Sequence, residues 1–80
     1  MRTSHTLLLR LWHDPTLLFA DTEVTYLNRG APGDQTTILG SDISSLEAEY
    51  FIVLRSHGEV CIPYHRLRRI YYHGDLLWSR

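Results

Sequence analysis

Ile62-Pro63-Tyr64-His65-Arg66-Leu67-Arg68-Arg69 is the densest cationic stretch of the chain, and it holds a histidine and a tyrosine as well. Guanidinium groups present planar forks of N–H donors that match phosphate oxygens, and an imidazole can donate to an anion or move a proton. The chemistry this points to is anion recognition, or phosphate-ester hydrolysis if a second acid or base joins His65. A further candidate is Arg29-Gly30-Ala31-Pro32-Gly33-Asp34. Its glycines permit positive φ, so backbone N–H groups there could form an anion nest beside Arg29, although no G-x-x-x-x-G-K phosphate loop is present.

Other chemistries have less material. His5, His13, His57, His65 and His73 are scattered over predicted turns and helix ends, and Cys61-x-x-x-His65 lacks the second ligand pair of a structural zinc site. No metal and no cofactor is expected. Ser44 and Ser45 lie outside any G-x-S-x-G elbow, and Cys61 falls at a strand position, so no nucleophile is nominated. Hydrolysis of RNA would find His65 and an arginine cation but no evident second histidine. On residue types alone, phosphate recognition and a solvated arginine edge that keeps a sheet from pairing with other chains fit equally well.

Charge is unevenly spread. The formal net charge of the 80 residues is −1, but residues 1–54 carry −4 and residues 55–80 carry +3, so the C-terminal third is the anion-seeking end. All 8 basic side chains are arginine, which suits bidentate contacts to phosphate, although the base composition of the gene accounts for missing lysines equally well.

The elements that must position these groups read as one small α+β domain over residues 1–80. Ser4 caps a predicted helix from His5, with Leu7, Leu8, Leu11 and Trp12 on one side and Pro15 as its stop. Trp12 reads as a core aromatic rather than a base-stacking platform. Glu23–Asn28 and Thr36–Leu39 read as strands, and Gly40-Ser41-Asp42 followed by Ile43 and Leu46 as a capped single helical turn. Tyr50–Arg55 is apolar on both faces and belongs inside a sheet. A His57-Gly58 turn would set Arg55 opposite Val60, Leu54 opposite Cys61 and Val53 opposite Ile62, leaving Cys61 a core or half-buried thiol. After Pro63 a helical turn and an extended chain are both open, and both put His65 and Arg69 on one side. Arg69–Tyr72 and Leu76–Arg80 read as a second hairpin across His73-Gly74-Asp75. The expected architecture is an N-terminal helix packed on a mainly antiparallel sheet of about five strands.

An apolar fraction of 44% and the lack of a long apolar run predict a soluble protein outside membranes. The stretch Met1–Arg10 resembles a short leader but reads as mature helix, because its apolar run is three leucines. A lone cysteine is compatible with a reducing cytoplasm.

Three motifs occur in register: Tyr26-Leu27-Asn28-Arg29-Gly30-Ala31-Pro32, Ile62-Pro63-Tyr64-His65-Arg66-Leu67, and Gly74-Asp75-Leu76-Leu77-Trp78-Ser79-Arg80, with Leu11-Trp12 and Asp14-Pro15 upstream. Together they resemble a family of small, mostly archaeal proteins proposed as an RNA cyclic-group end recognition domain. The resemblance covers nearly the whole chain, with Tyr64 departing from the aliphatic residue expected there. It implies a compact α+β module, alone or fused to RNA-end-processing domains, that binds RNA ends bearing a 2′,3′-cyclic phosphate. The arginine of the R-G-A-P loop is Arg29 and the H-R pair is His65 and Arg66. The resemblance and the residue chemistry together nominate Arg29, Gly30, His65, Arg66 and Arg69 for the phosphate and Tyr64, Tyr71 or Trp78 for stacking on the terminal base. The expected partners are RNA ends and RNA-processing enzymes. The rival expectations are a phosphoesterase that opens the cyclic phosphate with His65, and a protein-interaction adaptor that docks through the aromatic hairpin.

Overall fold

The computed structural model describes residues 3–80, so Met1 and Arg2 of the leader-like stretch lie outside the described residues. One helix, α1 (Thr3–His13), precedes seven strands. These are β1 (Thr22–Leu27), β2 (Gln35–Leu39), β3 (Ile43–Leu46), β4 (Tyr50–Arg55), β5 (Gly58–Pro63), β6 (Leu67–Tyr72) and β7 (Asp75–Ser79). They form two antiparallel sheets, in the orders β2-β1-β6-β7 and β3-β4-β5. The α+β class is as expected, but there are seven strands in two sheets rather than about five in one. No helix among the described residues is long and apolar enough to cross a membrane.

The helix and both sheets contribute to a single buried cluster. Leu8 and Leu11 enter it from α1, Val24, Tyr26, Leu67 and Ile70 from the four-stranded sheet, and Phe51, Val53 and Ile62 from the other. Ser4 is a buried residue inside α1 rather than its cap. Trp12 is not the expected core aromatic: it is 37% exposed and stands outside the buried cluster, its ring meeting that of Phe19 edge-on with centroids 4.9 Å apart. Asp14 closes the helix end, its carboxylate accepting the Thr16 N–H at 2.9 Å and the Thr16 hydroxyl at 2.6 Å. Those two hydrogen bonds hold the Asp14 pKa below the usual carboxylate value, the hydroxyl being the larger cause.

Three local expectations change. Gly40–Asp42 does turn, with the Asp42 carboxylate accepting the Leu39 N–H at 3.2 Å, but the turn ends there. Ile43 then pairs with Val53, so Ile43–Leu46 is a strand, as a β-branched residue facing a partner strand favours. In the β4–β5 hairpin the turn residues are Ser56-His57, and Gly58, at φ 123°, already pairs with Arg55. Val53 therefore faces Val60, and Ile52 faces Cys61. The register has slid by an even number of residues, so no side chain changes face. Cys61 lies on the outer face and is exposed, not half-buried. β4 is central in its sheet, as its two apolar faces predict.

Candidate anion-binding site

The antiparallel pairing of β1 with β6 sets Tyr26 opposite Leu67, which brings the residues leaving β1 beside those entering β6. Between them is a pocket of about 460 Å³, lined by Leu27, Asn28, Arg29, His65, Arg66 and Arg68. Three arginines and a histidine thus line one cavity, and no acidic residue is in its lining. No arginine among the described residues lies within ion-pair distance of an acidic group, His73 and Asp21 at 3.2 Å being the pair found there. The pocket's arginines are therefore not engaged in direct ion pairs among the described residues.

Pro63, with extended backbone, leads into a 3-10 turn at Tyr64–Arg66, so of the two conformations left open after the proline the single turn is adopted. The turn is held through the His65 carbonyl, which accepts from Arg68 at 3.2 Å and from Arg80 at 2.8 Å. Arg68 owes its place to a bulge. Thr25 pairs with Arg69 and Tyr26 with Leu67, so Arg68 has no partner across the ladder and its side chain is re-aimed. The same bulge makes Leu67 and Ile70, three apart, share the core face, where a regular strand would pair Leu67 with Arg69.

On the opposite wall, the loop after β1 is fastened from within. Asn28 N–H donates to the Asp34 carbonyl at 2.8 Å, Ala31 N–H to the Asn28 carbonyl at 3.1 Å, and Asp34 N–H to the Ala31 carbonyl at 2.8 Å. Gly30, at φ 93°, donates its N–H to the Asp34 carboxylate at 3.2 Å. The expected nest is thus filled by the chain's own Asp34, and Gly30 shapes the loop that carries Arg29 instead of facing an anion.

The family model described as the MJ1316 RNA cyclic group end recognition domain matches residues 1–80. The chain belongs to this family. No match to a curated protein or to a solved structure was found.

The remaining nominated residues of this RNA cyclic group end recognition domain stand outside the pocket. Arg69 reaches across the outer face of the sheet and donates to Gln35 Oε1 at 3.2 Å. Tyr64 is buried, 8% exposed, with its hydroxyl donating to the Glu47 carbonyl at 2.7 Å and its ring stacked on His5 at 4.2 Å. It anchors the His65 turn to α1 and leaves no open face for a base. Trp78, opposite Ile70 on β7, packs partly against the core with the Arg80 guanidinium 5.9 Å from its ring. It borders the site through Arg80 without lining the cavity.

Asn28 and Arg80 are the residues that sequence reasoning missed, and Arg68, within the cationic stretch, was not singled out from its neighbours. The three-residue spacing of Leu67 and Ile70 across two arginines was the available sign of a bulge, since a regular half-buried strand alternates. Among the described residues no group of three or more potential metal ligands occurs. A second hollow, of about 530 Å³, is lined by Asp42, Leu54, Arg55, Ser56, His57 and Val60. Its acid and apolar side chains make it less selective for anions than the arginine pocket.

Proposed function

We propose that this domain binds phosphate-bearing RNA ends, the 2′,3′-cyclic phosphate among them, with Arg29, His65, Arg66 and Arg68 as the anion site. The observation that carries this reading is that three arginines and a histidine line one cavity with no acidic residue among them. Each guanidinium can offer a two-donor fork to phosphate oxygens. Membership of a family named for RNA cyclic group ends supplies the nucleic acid. The corresponding setting is RNA processing or repair in the cytoplasm, beside enzymes that act on the same ends. Binding is favoured over ring opening because one histidine lines the pocket, where acid–base hydrolysis near neutral pH uses two proton-transfer groups.

The test is a titration of matched RNA oligonucleotides ending in 2′,3′-cyclic phosphate or 3′-hydroxyl at one fixed salt concentration, with the RNA recovered and sized afterwards. A preference of about tenfold for the cyclic end, equivalent to about 1.4 kcal/mol, is expected with the RNA intact. Arg66→Gln, which removes an exposed side chain with no intramolecular bond among those found, should weaken cyclic-end binding about tenfold. Equal binding to both ends would discard the reading in favour of a protein adaptor. Opened cyclic ends would replace it with a phosphoesterase.

A further inference from the structure

A phosphate pocket can be asked which charge state and how many oxygens it is built to satisfy. A 2′,3′-cyclic phosphate is a monoanionic diester with two free oxygens, because the other two are tied to the ribose. Ring opening yields a monoester with three free oxygens and close to two negative charges at neutral pH, and it restores a neighbouring hydroxyl. Arg29 and Arg66 bring two guanidiniums to the cavity, and Arg68, whose Nη1 donates to the His65 and Leu67 carbonyls at 3.2 and 3.0 Å, a third through its remaining N–H groups, more cationic donors than a monoanion with two free oxygens requires. None of the three lies within ion-pair distance of an acid among the described residues, so none is tied up in a direct ion pair, the Asp34 carboxylate in the same loop accepting from Gly30 N–H instead.

Asn28 adds an independent element. It lines the same cavity, and its Nδ2 donates to Thr36 Oγ1 at 2.8 Å. With Thr36 Oγ1 accepting from Nδ2, Oδ1 is left without a side-chain partner among the described residues. An acceptor beside three cations is unsuited to phosphate oxygens, but it suits a hydroxyl next to the phosphate. The 2′-hydroxyl of a 3′-phosphorylated ribose is such a donor, and the cyclic ester has none.

We infer that the pocket holds the opened end, a terminal 3′- or 2′-phosphate monoester with its freed vicinal hydroxyl, more tightly than the cyclic end from which it forms. Arg29, Arg66 and Arg68 engage the three oxygens, and Asn28 is the residue that selects for the hydroxyl. The inference rests on the RNA-end reading above and deepens it, making the domain a retainer of ends after a ring-opening reaction as well as a reader of ends before it.

The experiment compares the full chain's affinity for one RNA sequence with six ends: 2′,3′-cyclic phosphate, 3′-phosphate, 2′-phosphate, 3′-phosphate on a terminal 2′-deoxyribose, 5′-phosphate and plain hydroxyl. The monoester beside a hydroxyl should bind about tenfold more tightly than the cyclic end, the extra charge lying near three cations. Removing the 2′-hydroxyl should weaken 3′-phosphate binding about fivefold, as loss of one hydrogen bond does. The 5′-phosphate, a monoester without a vicinal hydroxyl, should behave like the deoxy end. Asn28→Ala should erase the difference between ribo and deoxy ends, and Arg66→Gln should shrink the difference between monoester and cyclic ester. Because the deoxy and 5′-phosphate arms alter only the ligand, they decide the matter even if a variant fails to fold. Cyclic ends that bind as tightly as, or more tightly than, 3′-phosphate ends while both exceed the hydroxyl end would overturn the inference and leave the RNA-end reading standing. No preference for any phosphate over hydroxyl would overturn both.

Discussion

At the scale of single residues, Tyr64 shows how one side chain can resemble a ligand contact and act as an anchor. Burial, with the Glu47 charge as the lesser cause, pushes its pKa from 10.0 up to about 12. The folded protein keeps this proton where the unfolded chain has begun to lose it, so the associated stability is complete below pH 10.0 and declines as the pH rises towards about 12. Urea melts of the native chain should therefore lose midpoint across that window more steeply than melts of Tyr64→Phe. Parallel curves would refute the assignment. The sequence made the His65-Arg66 pair and Arg29 nameable because their types advertise phosphate contacts wherever they lie. Tyr64 and Arg68 were not legible in the same way. A tyrosine flanked by proline and histidine serves equally well inside or outside, and here His5 and the Glu47 carbonyl claim it. Arg68 reaches the pocket through a bulge in its pairing with β1, and a bulge is specified by two strands together.

At the scale of elements, the 3-10 turns Phe19–Asp21 and Gly40–Asp42 pack closely against each other. A Cβ on Gly40 would collide with the Phe19 carbonyl oxygen, a backbone atom that cannot rotate away. Gly40→Ala should lower stability by about 3 kcal/mol in thermal denaturation, the upper end of ordinary overpacking. Gly33→Ala, where no atom lies within 4 Å of the added carbon but φ is 67°, should cost about 1 kcal/mol through left-handed strain. Equal losses at the two positions would show that the turn-to-turn contact is not what Gly40 protects. Element identity was legible wherever apolar pattern decided it. Tyr50–Arg55 announced a central strand by being apolar on both faces, and Pro15 announced the end of α1. Ile43–Leu46 was not legible, because Gly-Ser-Asp signals a turn without specifying the element after it, and pairing with Val53 decides that. The hairpin slip at Gly58 has a similar origin, since a glycine at positive φ can serve within a turn or just after it.

At the scale of the whole molecule, an overall charge of −1 hides a site of opposite sign, so affinity for RNA should come from the pocket rather than from diffuse attraction. With about three phosphate charges neutralised on a single strand, log K should fall with log salt at a slope of about −2. A slope several times steeper, measured by titration across a salt series, would mean that the arginines track a long run of backbone and that the end is incidental. The division into two sheets was the least legible feature of all, because composition cannot say which strands pair across the chain. That division also governs when the pocket comes into being. The β3-β4-β5 meander forms from neighbours in sequence, whereas the two walls of the pocket meet only when β1 finds β6 across everything between them. Closing so long a loop is entropically expensive and slow relative to local hairpins. On the function proposed above, the capacity to hold an RNA end is a late acquisition in folding, and a chain arrested with only its meander formed should be blind to RNA ends although it carries every arginine of the pocket.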